Sequence, residues 1–113
     1  MTQGEEIVVL VTAGDEAEGA RIARGLVGAR VAACVNLLPA VRSIYRWEDA
    51  VEDENEVLLV IKSVRAHFEE LRSAVRALHS YDTPEVVALP TAAMDEDYRA
   101  WLHTSLGLDG GKT

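Results

Sequence analysis

Hydrophobic positions along the chain fall into blocks with two different periods. Ile7 to Val11 is an unbroken β-branched-rich run, the pattern of a strand buried on both faces. Gly14 and Asp15 end it. Asp15 and Glu18 stand at capping-box spacing, so a helix is predicted to start there and to run to Gly28. Its predicted inward face is Ala20, Ala23, Leu26 and Val27, with Ile22 beside it, and the small residues let it lie close to a sheet. Val31 to Leu38 is a second apolar run closed by Pro39, and Val41 to Trp47 continues as an extended segment. Proline cannot donate to a strand ladder, so Pro39 predicts a bulge or bend. Glu48 to Glu56 is dense in carboxylates, and Val57 to Ile61 is solidly apolar again. The two strands flanking the acidic patch are predicted to form a hairpin with a solvated tip.

Ser63 is a candidate cap for a second helix, whose apolar stripe is Phe68, Leu71, Val75 and Leu78. The run from His79 to Pro84 breaks that helix. Val86 to Leu89 reads as a short buried strand ended by Pro90, and Tyr98, Trp101 and Leu102 give a C-terminal helix one apolar face. The order is βαββαβ plus a final helix. This predicts an α+β, ferredoxin-like split βαβ sheet with its first and third strands in the middle. One domain over residues 1–113 is expected, ordered from about 6 to 106, with a loose tail from Gly107.

Two helices cover one face of a four-stranded sheet. The run Val57 to Ile61 asks for burial on both faces, and Ile44, Tyr45 and Trp47 add apolar surface on the hairpin. A short third helix covers little of a sheet, so the chain is expected to close its second face by symmetric self-association.

Composition narrows the partners. Apolar residues make up 49% of the chain, which supports a packed core, and the net charge of −8 argues against nucleic acid and anionic membrane surfaces. Cys34 is the single cysteine, so no intrachain disulfide is available. The first residues carry no basic segment followed by a long apolar stretch, and the cytoplasm is the expected location.

Three strings carry a more specific signal: Ala32-Ala33-Cys34-Val35-Asn36, Arg42-Ser43-Ile44-Tyr45-Arg46-Trp47-Glu48 and His79-Ser80-Tyr81-Asp82-Thr83-Pro84-Glu85. With Val86 to Pro90 and Tyr98 to Leu102, they resemble the CutA family of divalent-cation tolerance proteins, from about Ile7 to Leu106. The resemblance implies a ferredoxin-like fold in a tight homotrimer, with long hairpins reaching onto neighbouring subunits. It also implies a link to copper and other divalent metals, and an architecture similar to the PII signalling proteins, which hold small ligands between subunits. Val11 and Leu78 stand where some members carry a proposed copper-binding cysteine and histidine, Ser80 replaces a usual proline, and Asp82 stands where glutamate is frequent.

His79 is a candidate ligand for copper or zinc, with Tyr81, Asp82 and Glu85 near in sequence. Its alternative role is to bond carbonyls at the end of the second helix. Cys34 is either a small buried hydrophobe or a soft metal donor. Arg42, Arg46, Lys62, Tyr81 and Glu85 correspond to residues that line the intersubunit cleft in the family, where arginine and lysine suit an anionic ligand. Their alternative is a set of ion pairs across the interface. Three functions follow: a metal-binding protein, a regulatory module for a small anionic ligand, and, ranked last for want of a nucleophile, an enzyme. An EF-hand loop from Asp53 fails because Leu58 occupies the glycine position. A P-loop at Gly111-Lys112-Thr113 fails because Leu106 does the same.

Overall fold

The computed structural model describes residues 5–108. Its elements are β1 (Glu6–Ala13), α1 (Glu16–Gly28), β2 (Cys34–Trp47), β3 (Ala50–Val64), α2 (Phe68–Leu78), β4 (Val87–Pro90) and α3 (Glu96–Ser105). The sheet order is β2-β3-β1-β4 with every neighbouring pair antiparallel, so the first and third strands occupy the centre as the element order predicts. Gly107 and Leu108 still bond back to Thr104 and His103 carbonyls, and the rest of the expected tail, residues 109–113, lies outside the described residues.

The core lies between the sheet and α1 with α2. Ile7, Val9 and Val11 of β1 alternate inward opposite Leu59 and Ile61 of β3, and Ile22, Leu26, Leu71 and Val75 close the layer from the helices. Asp15 caps α1 by accepting from the Glu18 amide at 2.8 Å. The inward face of α1 is rotated from the predicted one: Gly19 turns inward, while Val27 is exposed. Gly19 permits the close approach, since a Cβ there would stand 3.3 Å from Leu59 Cδ1.

The hairpin departs most from expectation. β3 does not begin at Val57 but at Ala50, and its turn is only Glu48 and Asp49, both at positive φ (48° and 69°). Such a turn matches the twist of the flanking strands. Most of the acidic patch is therefore strand rather than tip, with Glu52 opposite Tyr45 and Glu56 opposite Val41. At roughly 3.3 Å per residue, β3 accounts for the 52 Å long axis of the molecule. The register slips between Leu38 and Val41, where Ala40 takes φ 75°, so Pro39 does mark a bulge.

Two further expectations are corrected. Ser63 is no helix cap: it ends inside β3, buried, with its hydroxyl donating to the Val31 carbonyl at 2.6 Å, and a 3₁₀ turn at Arg65–His67 leads into α2. β4 is not buried. All four of its residues are exposed, because it forms the sheet edge with only β1 beside it.

α3 crosses to the other side of the sheet and covers one end of it. Leu102 and Leu106 pack on Ala33 and Val64, and His103 and Arg99 reach the Glu6 carboxylate at 2.8 and 3.3 Å. Among the described residues, nothing beyond α3 covers this face. By strand alternation it presents Val8 and Leu10 of β1, Leu58 and Val60 of β3, Leu38 of β2, and Val87 and Leu89 of β4. The first four are half-buried and the last three are exposed.

Candidate functional site

The loop after α2 folds back over the ends of β1 and α1. His79 terminates α2, and its ring is sealed from solvent. Nε2 lies 2.7 Å from the Thr12 carbonyl oxygen. A carbonyl can only accept, so Nε2 carries the proton. Nδ1 keeps its lone pair and accepts from the Tyr81 amide at 3.0 Å. Both ring nitrogens thus hold backbone together, and the Tyr81 ring leans on the imidazole with centroids 4.5 Å apart.

Glu18 fixes the same loop from α1. Its Oε2 accepts from the Ser80 amide at 2.7 Å and its Oε1 from the Gly14 amide at 3.4 Å. Burial pushes the Glu18 carboxyl up, but the Ser80 amide and hydroxyl outweigh it and hold the group below the ordinary value of 4.5. A carboxylate whose folded pKa is depressed stabilises the fold above its unfolded pKa and loses that contribution as pH falls through the folded one. Glu18→Gln is therefore expected to cost about 1.5 kcal/mol at pH 7. The gap to the parent should close in acid, as read by urea unfolding at both pH values. An equal gap at pH 7 and pH 3 would show that the charge is not what matters.

Tyr81 extends this network to the hairpin. Its hydroxyl donates to Glu56 Oε2 at 2.8 Å, and burial, followed by that bond and the Glu56 charge, holds the phenol well above the usual tyrosine range. Burial also pushes the Glu85 carboxyl up, and the charge on Glu56 adds to the effect. Around these groups opens a cleft of about 570 Å³ along the hairpin arm. Tyr45, Trp47, Ser43 and Ile44 come from β2, Glu56 from β3, Thr12 from β1, and Tyr81, Asp82, Thr83 and Glu85 from the loop.

The other predicted site residues lie elsewhere. Arg42 grips Asp53 across the arm with bonds of 2.8 and 2.6 Å, and Arg46 stands opposite Val51 near the turn. Lys62 bonds Asn36 Oδ1 and approaches Cys34 Sγ at 4.0 Å. Lys62 lies opposite Val8, four residues along β1 from the Thr12 carbonyl that holds His79. At the strand rise that is about 13 Å, so Cys34 and His79 do not converge within one chain. Among the described residues, no three His, Cys, Asp or Glu side chains stand together as a metal centre.

Glu18, Glu56, Thr12 and Trp47 are site residues that sequence reading did not single out as such. Glu18 was legible as a helix cap; its bond to Ser80, 62 residues away, is tertiary. Glu56 is one of several carboxylates in a run, and nothing in the run marks it as the buried one.

The likeness to known proteins agrees with this architecture. Residues 7–105 match the family described as CutA1 divalent ion tolerance protein. The chain belongs to that family. It is 44% identical over 102 residues to the divalent-cation tolerance protein CutA of Pectobacterium atrosepticum, covering 90% of this chain and 93% of that one. Among solved structures, the divalent cation tolerance protein Cut A1 of Thermus thermophilus superposes with a TM-score of 0.84 at 45% identity, over 86% of this chain and 94% of its own. A protein of Archaeoglobus fulgidus, named a periplasmic divalent cation tolerance protein CutA, gives 0.87 at 32% identity over 89% and 98%. The CutA fold thus accounts for both the split βαβ sheet and the long arm. No helix among the described residues is long and apolar enough to cross a membrane.

Proposed function

We propose that this CutA protein works as a homotrimer, each chain a single unit, which takes up divalent metal ions, copper among them, and performs no catalysis. The observation that carries the reading is the open apolar face of the sheet, which α3 covers at one end only. A surface of half-buried valine and leucine beside an unpaired edge strand is stabilised when copies pack on it. The family name supplies the metal.

The residues of this chain restrict where a metal ion can sit. His79 fits poorly as it stands, since coordination through Nδ1 would cost the bond from the Tyr81 amide and coordination through Nε2 the bond to the Thr12 carbonyl. Cys34 fits better. It is half-buried on the face that copies would share, and its sulfur is a soft donor of the kind copper and zinc take. The remaining donors come, in this reading, from a second copy. The cleft, lined by Glu56, Asp82 and Glu85 with no lysine or arginine among its described lining, speaks for a cation rather than the anionic ligand of a PII-like module. A lone thiol also suits a reducing compartment, the cytoplasm in this reading.

Zinc titration followed by native mass spectrometry tests the proposal. Zinc is expected on the assembled species and not on single chains, and Cys34→Ser should lower its affinity by about tenfold or more. Zinc on single chains, or unchanged affinity in Cys34→Ser, would refute it.

A further inference from the structure

The cleft along the arm has a chemistry of its own, independent of the metal reading. Its lining includes three aromatic residues, Tyr45, Trp47 and Tyr81, and three carboxylates, Glu56, Asp82 and Glu85. Tyr81 already occupies one oxygen of Glu56, and Glu56 itself is buried at 7% exposure. Asp82 and Glu85, both exposed, are left to meet a ligand, and of the two Glu85 is the one that feels the Glu56 charge. We propose that this cleft binds a small organic ammonium ion, its charge against Glu85 and its alkyl part against Tyr45 and Trp47.

Three classes of ligand compete for such a place, and the lining separates them. An anion meets three carboxylates and no cationic side chain. A hard divalent ion needs six or more converging oxygens, whereas no three carboxylates converge among the described residues. An alkylammonium ion uses both the carboxylates and the rings. Its N–H groups bond carboxylate and hydroxyl oxygens, and its methylenes bury against the rings of Tyr45 and Trp47. The volume of about 570 Å³ leaves ample room for a small organic ion. Without a ligand, burial and the repulsion of the Glu56 charge both disfavour a charged Glu85. A cation relieves that repulsion.

One four-carbon chain in three charge states tests the idea. Butylammonium, butan-1-ol and butyrate are titrated into the full-length protein, and the indole N–H signal of Trp47 is followed by NMR. That signal is assigned as the one absent from Trp47→Phe. Butylammonium is expected to shift it in a saturable way, with the alcohol weaker by about tenfold and butyrate without effect. Glu85→Gln is expected to weaken butylammonium by about tenfold. This variant should fold, because it removes a carboxylate whose folded pKa is raised. Its melting temperature should exceed the parent's at pH 7 and match it below about pH 4, where the carboxyl is protonated in both states. Trp47→Leu, read through Tyr45 ring signals, should weaken binding by about fivefold.

Four results would overturn the proposal. The alcohol binds as well as the ammonium, which makes the cleft merely greasy. Butyrate binds best. Zinc displaces butylammonium and depends on Glu85, which makes it a metal site. No probe shifts the indole at all, the result expected if a second copy of the chain fills the cleft.

Discussion

Replacing His79 with leucine is expected to cost about 3 kcal/mol of stability. The side-chain volume is nearly kept, so little of this is a cavity effect. What is lost is the pair of bonds that tie the loop after α2 to the end of β1. The Thr12 carbonyl loses its donor at 2.7 Å, and the Tyr81 amide loses its acceptor at 3.0 Å. Each is a backbone group at a ring sealed from solvent, and a buried polar group without a partner costs about 1–3 kcal/mol. The loop also presents Tyr81 to Glu56, so the damage should spread to the cleft. Urea unfolding at pH 7 reads the loss directly. It should be the same size with and without EDTA, because the imidazole acts on backbone and not on a metal ion. A variant as stable as the parent, or one whose deficit appears only when metal is present, would show that His79 serves a metal after all.

The same residue shows how far the sequence could be read. A histidine at the end of an amphipathic helix is visible as a candidate ligand or as a partner for helix carbonyls. The carbonyl it bonds belongs not to the helix but to β1, 67 residues away. Local pattern located the elements well where one face is buried. The stripe Phe68, Leu71, Val75 and Leu78 became α2, and Pro39 became a bulge, because proline's missing donor has a local consequence. The same pattern failed on the arm. Glu52, Asp53, Glu54 and Glu56 look like a loop in sequence, yet all four lie in β3. Strand pairing there is set by backbone bonds to β2, and water on the exposed arm leaves the side chains free to be charged. The resemblance to CutA supplied the long hairpin that periodicity could not. The cleft was out of reach for the same reason: its walls come from β1, β2, β3 and the loop after α2, and no short stretch contains them.

Val60→Asp should convert the assembled protein to single chains of one-third the parent mass, as read by sedimentation equilibrium at micromolar concentration. Val60 sits on β3 opposite Leu10, in the middle of the open face and away from the end that α3 covers. In a lone chain the position is only half-buried, so a carboxylate there keeps contact with water and the fold survives. Packed against a second copy, the carboxylate is dry and unpaired, which costs several kcal/mol per chain and is repeated in every copy of a closed ring. Ala77→Asp, on the exposed side of α2, carries the same added charge and should leave the mass unchanged. The comparison separates burial at the sheet from the general effect of one more negative charge on an acidic chain. If Val60→Asp sediments like the parent, the open face is not where copies meet. If the parent itself sediments as a single chain, half-exposed Val8, Leu10, Leu58 and Val60 are simply the surface of a stable monomer, and a metal ion would have to find all its donors within one subunit.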